Sequence, residues 1–444
     1  MIVSPLPAAS LGVEDLLRIV LIQVAIIMVT ARVFGTAFRK IGQPIVCGEI
    51  AAGLILGPSL FGGLFPDLFR QVFDPAVEPI MGVTARLGLV LLLFLIGLDF
   101  DFGHLRTHSR APLLISAGGV IFPFALGIGV AALMYPHVGN GVNRTAFLLF
   151  MATAMCITAL PILGRIMIEY GLNRTRIGAI TITAAAIDDA VGWTLLALVT
   201  SIVRSKADPV ATTLMILQTL AFGAFMVFAL RPLAHRWATR TLAKSGGVLS
   251  LNALAITLTV VFMAGVVTHE IGIFAIFGAF LCGAIMYDHA PFRDAVLHKL
   301  NDFVTVFFLP IFFTYTGLRT DMGSVQGGLL WGFCGLVLLA AVAGKFGGGA
   351  LAARLSGFSW RESMGVGTMM NTRALMELIV INVGYDLGII PRSVFFMLVF
   401  MAVATTYMTT PLLHLFGIIG KKAAPRVPAV PVPAVVRGVA EPVA

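Results

Sequence analysis

Charge is what this sequence has least of. Asp, Glu, Lys and Arg make up 11% of its 444 residues, against about 25% in soluble domains. No soluble domain fits between the apolar runs. The four cysteines (Cys47, Cys156, Cys282, Cys334) all fall inside those runs. They show neither a disulfide framework nor a metal-ligand spacing, so they and the methionines read as core, with no permanently bound metal. The N-terminal MIVSPLPAAS has no basic n-region, and no cleaved signal peptide is expected. Lys and Arg sit singly in short loops, without the clustered face of a nucleic-acid binder. The net charge of +9 therefore bears on membrane topology, and no nucleic acid is expected as a partner.

Apolar residues are there in abundance: 59% of the chain, with a mean hydropathy of +0.99. A spanning helix needs about 20 mostly apolar residues. Such runs predict an all-α polytopic membrane protein with thirteen spans, near 12–34, 43–61, 82–100, 111–135, 146–168, 176–203, 209–230, 248–268, 272–287, 300–318, 327–353, 362–385 and 393–417. The lipid bilayer is thus the first partner. The Ala/Pro/Val-rich stretch 421–444 reads as a disordered tail. Counted over alternate loops, Lys and Arg divide 20 to 6, with four more (Arg18, Arg86, Lys345, Arg373) inside spans. By the positive-inside rule this puts the N-terminus outside and the C-terminus in the cytoplasm.

The chemistry concentrates at Thr181-Ile-Thr-Ala-Ala-Ala-Ile-Asp-Asp-Ala-Val-Gly-Trp193. Asp188 and Asp189 lie mid-span in an otherwise apolar run. A charge at mid-membrane costs about 2.5–3.5 kcal/mol even on the lowest scale, and marks a functional site. Neighbours on a helix point about 100° apart, so one can face a cavity and the other a partner. The bland alternative is a structural pair near a span end. Lys345, in AGKFGGG at the middle of the eleventh span, is the natural partner. Its glycines allow close helix approach, and the rival reading is a lysine that snorkels to the interface.

Two spans carry helix breakers. The fifth holds Thr153, Thr158 and Pro161 in ATAMCITALPILGR. The twelfth holds Asn371, Thr372, Arg373 and Glu377 in GVGTMMNTRALMELIVIN. Irregular backbone at this depth is tolerated where it lines a cavity, and half-helix ends there can offer dipoles and free carbonyls to an ion. Arg373 and Glu377, at i and i+4, can pair on one face. That favours a structural brace for the broken helix as much as ion contact. Glu49 reads as a helix-interface or funnel residue, and Asp99, Asp101 and Asp321 as caps or entrance residues near span ends.

An internal repeat is visible. Gly48-Glu-Ile-Ala-Ala-Gly53 matches Gly278-Ala-Phe-Leu-Cys-Gly283, Gly97-Leu-Asp-Phe-Asp101 matches Gly317-Leu-Arg-Thr-Asp321, and Met155-Cys-Ile-Thr158 matches Met369-Met-Asn-Thr372. Each match is seven spans apart. An odd offset inverts the second copy, and inverted repeats with a mid-membrane site are a secondary-transporter architecture.

GEIAAGLILGPS, LLFLIGLDFD, ATAMCITALPILGR, AIDDAVGW, AGKFGGG and MNTRALMELIVINVG resemble, in order, motifs of the monovalent cation:proton antiporter superfamily. The branch is that of the bacterial potassium-efflux antiporters and the plant cation/proton exchangers. The resemblance covers about residues 15–417. It implies thirteen helices, two crossing broken helices, a core domain beside a dimer domain, a homodimer and elevator-like movement in a bacterial inner (cell) membrane. Residues 1–420 would form one exchanger-type domain, with repeat one near 43–203 and repeat two near 272–417. Asp189 resembles the main cation/proton site and Asp188 the carboxylate paired with the lysine matched by Lys345. Thr153 and Thr158 fall beside that site. A double Asp with a Lys implies electrogenic exchange of Na+ or K+ for protons, without a cofactor. No nucleotide-binding regulatory domain is expected in the chain. An enzyme is not expected: an intramembrane aspartyl protease needs aspartates converging from separate helices, and here they are adjacent. A passive cation channel or a transport-dead sensor on the same fold is the alternative.

Overall fold

The computed structural model describes residues 12–99, 110–139, 141–172, 175–204 and 209–419. Asp101, the loop after it and the tail from Lys421 lie outside the described residues. Helix is the only regular structure among them. Among the described residues nine helices are long and apolar enough to cross a bilayer, and three shorter apolar helices join them.

In chain order the main helices are α1 (Val13–Lys40), α2 (Ile45–Ile55), α3 (Glu78–Asp99), α4 (Arg110–Val138), α5 (Arg144–Cys156), α6 (Leu160–Glu169) and α7 (Arg176–Arg204). Then come α8 (209–244), α9 (Leu251–Ile271), α10 (Ala275–Ala284), α11 (290–319), α12 (Gly327–Leu355), α13 (Trp360–Met370), α14 (Leu375–Asp386) and α15 (Arg392–Leu415). A helix or helix pair falls on each apolar run, but the ends differ. Helix α8 continues to Lys244 and α11 begins at Ala290, beyond the expected 230 and before the expected 300. Hydropathy marks where a helix meets lipid; a helix needs no such boundary to continue through polar sequence. Helix α2 stops at Ile55, and the following residues form short helices at Phe61–Leu64 and Pro66–Val72.

The helices pack in two groups. Helices α1, α2, α3, α9, α10 and α11 contact one another, as do α4 to α7 and α12 to α15, while α8 touches members of both. Within the first group, α2 packs on α11 and α3 on α10. The contacts are backbone to backbone. A Cβ on Gly53 would fall 2.4 Å from the Phe313 carbonyl oxygen, and one on Gly317 2.0 Å from the Gly53 oxygen. Likewise a Cβ on Gly97 would fall 2.3 Å from the Phe280 oxygen, and one on Gly283 2.2 Å from the Phe94 oxygen. The glycines matched by the sequence repeat thus meet in reciprocal pairs. In the second group, Gly344 and Gly348 bring α12 against Pro123 and Gly118 of α4, which sets Lys345 facing α4 and α7.

Both broken helices are interrupted by short non-helical peptides. Helix α5 ends at Cys156, and α6 starts at Leu160 with Pro161 in its first turn. Proline is tolerated there because that N–H would be unpaired anyway, so it opens the second half-helix instead of kinking the first. Helix α13 begins with a capping box, in which Ser359 and Glu362 satisfy each other's backbone N–H. It ends at Met370, and α14 restarts after Ala374, whose φ of 73° is left-handed for a non-glycine residue. The two non-helical peptides touch: the Ala159 N–H donates to the Thr372 carbonyl at 3.1 Å.

Candidate functional site

The crossing of the broken helices faces Asp188 and Asp189 on α7. All the polar groups there are buried. They divide into one hydrogen-bonded cluster of cations and carboxylates, which leaves Asp188 Oδ1 and Glu377 Oε1 without a partner among the described residues, and one carboxylate, Asp189, with neither oxygen bonded.

Lys345 lies in a π-helical turn, Ala343–Gly347, within α12, a distortion common at functional sites. Its ammonium has three donors, and all three are used. They go to Asp188 Oδ2 at 2.6 Å, to the Gly119 carbonyl at 2.9 Å and to the Cys156 carbonyl. Asp188 Oδ2 also accepts from the Thr158 hydroxyl at 2.8 Å. Arg373 does comparable work from the other peptide. It donates to the carbonyls of Ala154 (3.0 Å) and Met155 (2.5 Å) and pairs with Glu377 at 3.0 Å.

The last three carbonyls of α5 therefore belong to two buried cations. A helix C-terminus carries about half a negative charge, and its carbonyls have no partner within the helix. These were the free carbonyls expected to face an ion; Lys345 and Arg373 take them instead. Arg373 and Glu377 are in the bracing arrangement.

Asp189 stands apart. It is 2% exposed, and neither carboxylate oxygen has a hydrogen-bond partner among the described residues. The Leu160 N–H, at the positive end of α6, faces it without closing a hydrogen bond of ordinary geometry. Beside it lies a cavity of about 10 Å³ walled by Ile157, Gly192, Trp193, Met376 and Val380. That is close to the space of one water-sized sphere. The wall is mostly apolar; of its side chains Trp193 brings an indole N–H, which has no hydrogen-bond partner among the described residues. A buried carboxylate in this setting is costly unless a proton or a cation neutralises it.

The other candidates are placed as follows. The Thr153 hydroxyl is turned onto its own helix, donating to Leu149 at 2.8 Å, and Thr158 serves Asp188, not Asp189. The Asn371 side-chain oxygen is buried without a hydrogen-bond partner among the described residues, one residue before the crossing at Thr372. Glu49 is buried against α1, 3.7 Å from Arg32. Asp99 is the last residue of α3, and Asp321 caps a short 3₁₀ turn by accepting from Gly323.

Sequence reasoning missed two features. One is Trp193, which lines the cavity and packs edge-to-face on Phe277 of α10, 5.2 Å between ring centroids, across the seam between the two helix groups. The other is a second cavity of about 360 Å³. Its polar lining includes Arg86, His269, Asn382 and Asp386. Asp386 accepts from Arg86 at 2.8 Å and Arg319 at 2.7 Å, tying α14 to α3 and α11. Helix α14 gives Ile379 and Val383 to this cavity and Met376 and Val380 to the small one, so one helix separates the two. No local pattern flagged Asp386; its partners lie 300 and 67 residues away.

A fold of long apolar helices around two crossed, interrupted ones, with buried carboxylates and cations at the crossing, is that of a membrane transporter. The family described as sodium/hydrogen exchanger, transmembrane, matches residues 25–415, and the chain belongs to that family. It is 37% identical to the Na(+)/H(+) antiporter NhaS4 of Synechocystis, over 89% of this chain and 96% of that one. It is 35% identical to Cation/H(+) antiporter 17 of Arabidopsis thaliana over 92% of this chain and 50% of the relative. The K(+)/H(+) antiporter 1 of Saccharomyces cerevisiae is 30% identical over 90% and 46%. The chain thus spans about half the length of these plant and yeast relatives. The solved sodium proton antiporter MjNhaP1 of Methanocaldococcus jannaschii shares the fold, with a TM-score of 0.59 at 13% identity over 90% of this chain and 97% of that one.

Proposed function

We propose that this chain is a secondary transporter that exchanges Na+ or K+ for protons, and that Asp189 is the carboxylate the two ions share. The observation that carries the reading is the contrast between neighbours. Asp188 Oδ2 is held by Lys345 and Thr158, while neither oxygen of Asp189 has a hydrogen-bond partner among the described residues, and Asp189 borders a cavity of ion size. A proton and a cation neutralise the same carboxylate and exclude each other. Exchange follows from that competition and needs no cofactor. The relatives' names, which include both Na(+)/H(+) and K(+)/H(+) antiporters, agree with a monovalent cation as cargo.

The Asp188–Lys345 pair is the second charge-bearing unit. A protonation step there, added to the one at Asp189, would make exchange electrogenic, each net charge being driven by about 2.3 kcal/mol per 100 mV. The reciprocal glycine pairs support inverted repeats near 43–203 and 272–417. The two packing groups support a core (α4 to α7, α12 to α15) that moves in elevator fashion against a scaffold (α1 to α3, α9 to α11). The scaffold would form the homodimer contact. Thirteen crossings in a bacterial inner membrane, with the N-terminus outside and the C-terminus cytoplasmic, fit the 20-to-6 division of basic residues. In proteoliposomes, adding sodium and then potassium should dissipate an imposed pH gradient with the wild type and not with Asp189→Asn. A pH-independent, non-saturating flux would make the chain a channel, and exchange by Asp189→Asn would sink the assignment of the site.

A further inference from the structure

A third cavity lies far from the aspartates, between α8, α9 and α10. It holds about 310 Å³, within the range of small-ligand sites. Its lining is apolar and includes Phe94, Leu233, Ala234, Trp237, Val260 and Ile285. It opens on the lipid-facing surface, where Leu233 and Val260 are 65% and 39% exposed. Trp237 stands at one end, edge-on to Phe292 at 6.0 Å between centroids. Tryptophan favours the boundary between acyl chains and headgroups.

Beyond Trp237 the same helix face changes character. Arg240 and Lys244 follow it at i+3 and i+7, on the stripe that Leu233 and Trp237 begin. Both are exposed, and neither has a carboxylate partner among the described residues. Arg231 differs, being held 2.5 Å from Asp288, which His235 shares at 3.3 Å. An apolar cleft thus runs, along one helix stripe, into two uncommitted cations, with a third exposed cation, Arg236, at i−4 from Arg240. A sterol or a neutral lipid would use the cleft and leave the cations idle; a soluble anion would do the reverse. We infer that this cleft binds an anionic phospholipid, one acyl chain lying against Ala234 and Val260 and the phosphodiester meeting Arg240 and Lys244. Arginine offers a forked donor to phosphate and lysine a point charge. The position also suits a modulatory role, because α8 contacts both helix groups.

The test is native mass spectrometry of the full chain in dodecyl maltoside, with equimolar phosphatidylglycerol and phosphatidylcholine of identical acyl chains. Two basic side chains at the headgroup should give a roughly tenfold or greater preference for phosphatidylglycerol. Arg240→Gln with Lys244→Gln, both at exposed positions, should abolish the preference while still binding either lipid. Ala234→Trp, which fills the cleft, should lose the tightly held adduct altogether. Equal binding of the two lipids by the wild type would overturn the assignment, as would an undiminished preference in the double variant. If Ala234→Trp instead splits a dimer and leaves the preference untouched, the cleft belongs to a second copy of the chain, and the lipid assignment fails.

Discussion

Asp188 Oδ2 lies 2.6 Å from Lys345 Nζ, and neither side chain is exposed at all. Their helices, α7 and α12, both pack on α4, whose Gly119 carbonyl also accepts from Lys345. Breaking a buried pair by removing one partner costs about 3–5 kcal/mol, because it strands the other charge. Lys345→Met should therefore lower the thermal unfolding midpoint sharply, and Asp188→Asn with Lys345→Met should recover most of the loss. Additive losses in the double variant would show that the two groups are not coupled.

Arg373 carries a second such load. It holds the Ala154 and Met155 carbonyls and Glu377. Arg373→Ala leaves a buried carboxylate and the end of α5 uncompensated, a loss of about 3–5 kcal/mol by the same reasoning. Arg373→Lys keeps the charge but not the fork that spans adjacent acceptors. Its stability should fall between wild type and alanine, as read from thermal unfolding in detergent. Equal midpoints for the lysine and wild-type forms would contradict the bracing role.

The glycine pairs separate close packing from mere small size. Gly53→Val and Gly283→Val drive side-chain atoms into backbone with no room to yield. Overpacking of this kind costs about 1–3 kcal/mol, and more is expected where backbone is the obstacle. Gly335, on α12, faces open space, and Gly335→Ala should leave stability unchanged or raise it by about 0.4–1 kcal/mol. Size-exclusion profiles after heating would rank the three variants.

Much of this arrangement was legible in the sequence, and what was legible had a local cause. Charges in an apolar run exposed Asp188, Asp189 and Lys345, since few residues pay the cost of mid-membrane burial without a role. Glycine spacing singled out Gly53, Gly97, Gly283 and Gly317, because backbone contact admits nothing larger. The claim of Lys345 and Arg373 on the α5 carbonyls was not legible. Those acceptors are main-chain atoms of Ala154, Met155 and Cys156, and any side chain presents the same carbonyl. Nor was the clasp of Asp386 by Arg86 and Arg319, whose partners converge only once α3, α11 and α14 have packed.

Competition fixes the sign of the pH dependence. If a proton and a cation share Asp189, lowering the pH should raise the apparent KM for the cation and leave the maximal rate at saturating cation less affected. Initial rates of pH-gradient dissipation, measured over a cation series at several symmetrical pH values, would show this. A KM independent of pH would mean that the two ions bind different groups.

The most direct measurement is proton release from the purified protein, in weakly buffered detergent solution with a pH-indicating dye, when sodium or potassium is added. Wild-type protein should release protons in a saturable manner, and Asp189→Asn should release none while eluting as the same folded species. Release of as many protons by Asp189→Asn as by the wild type would contradict the shared-carboxylate account.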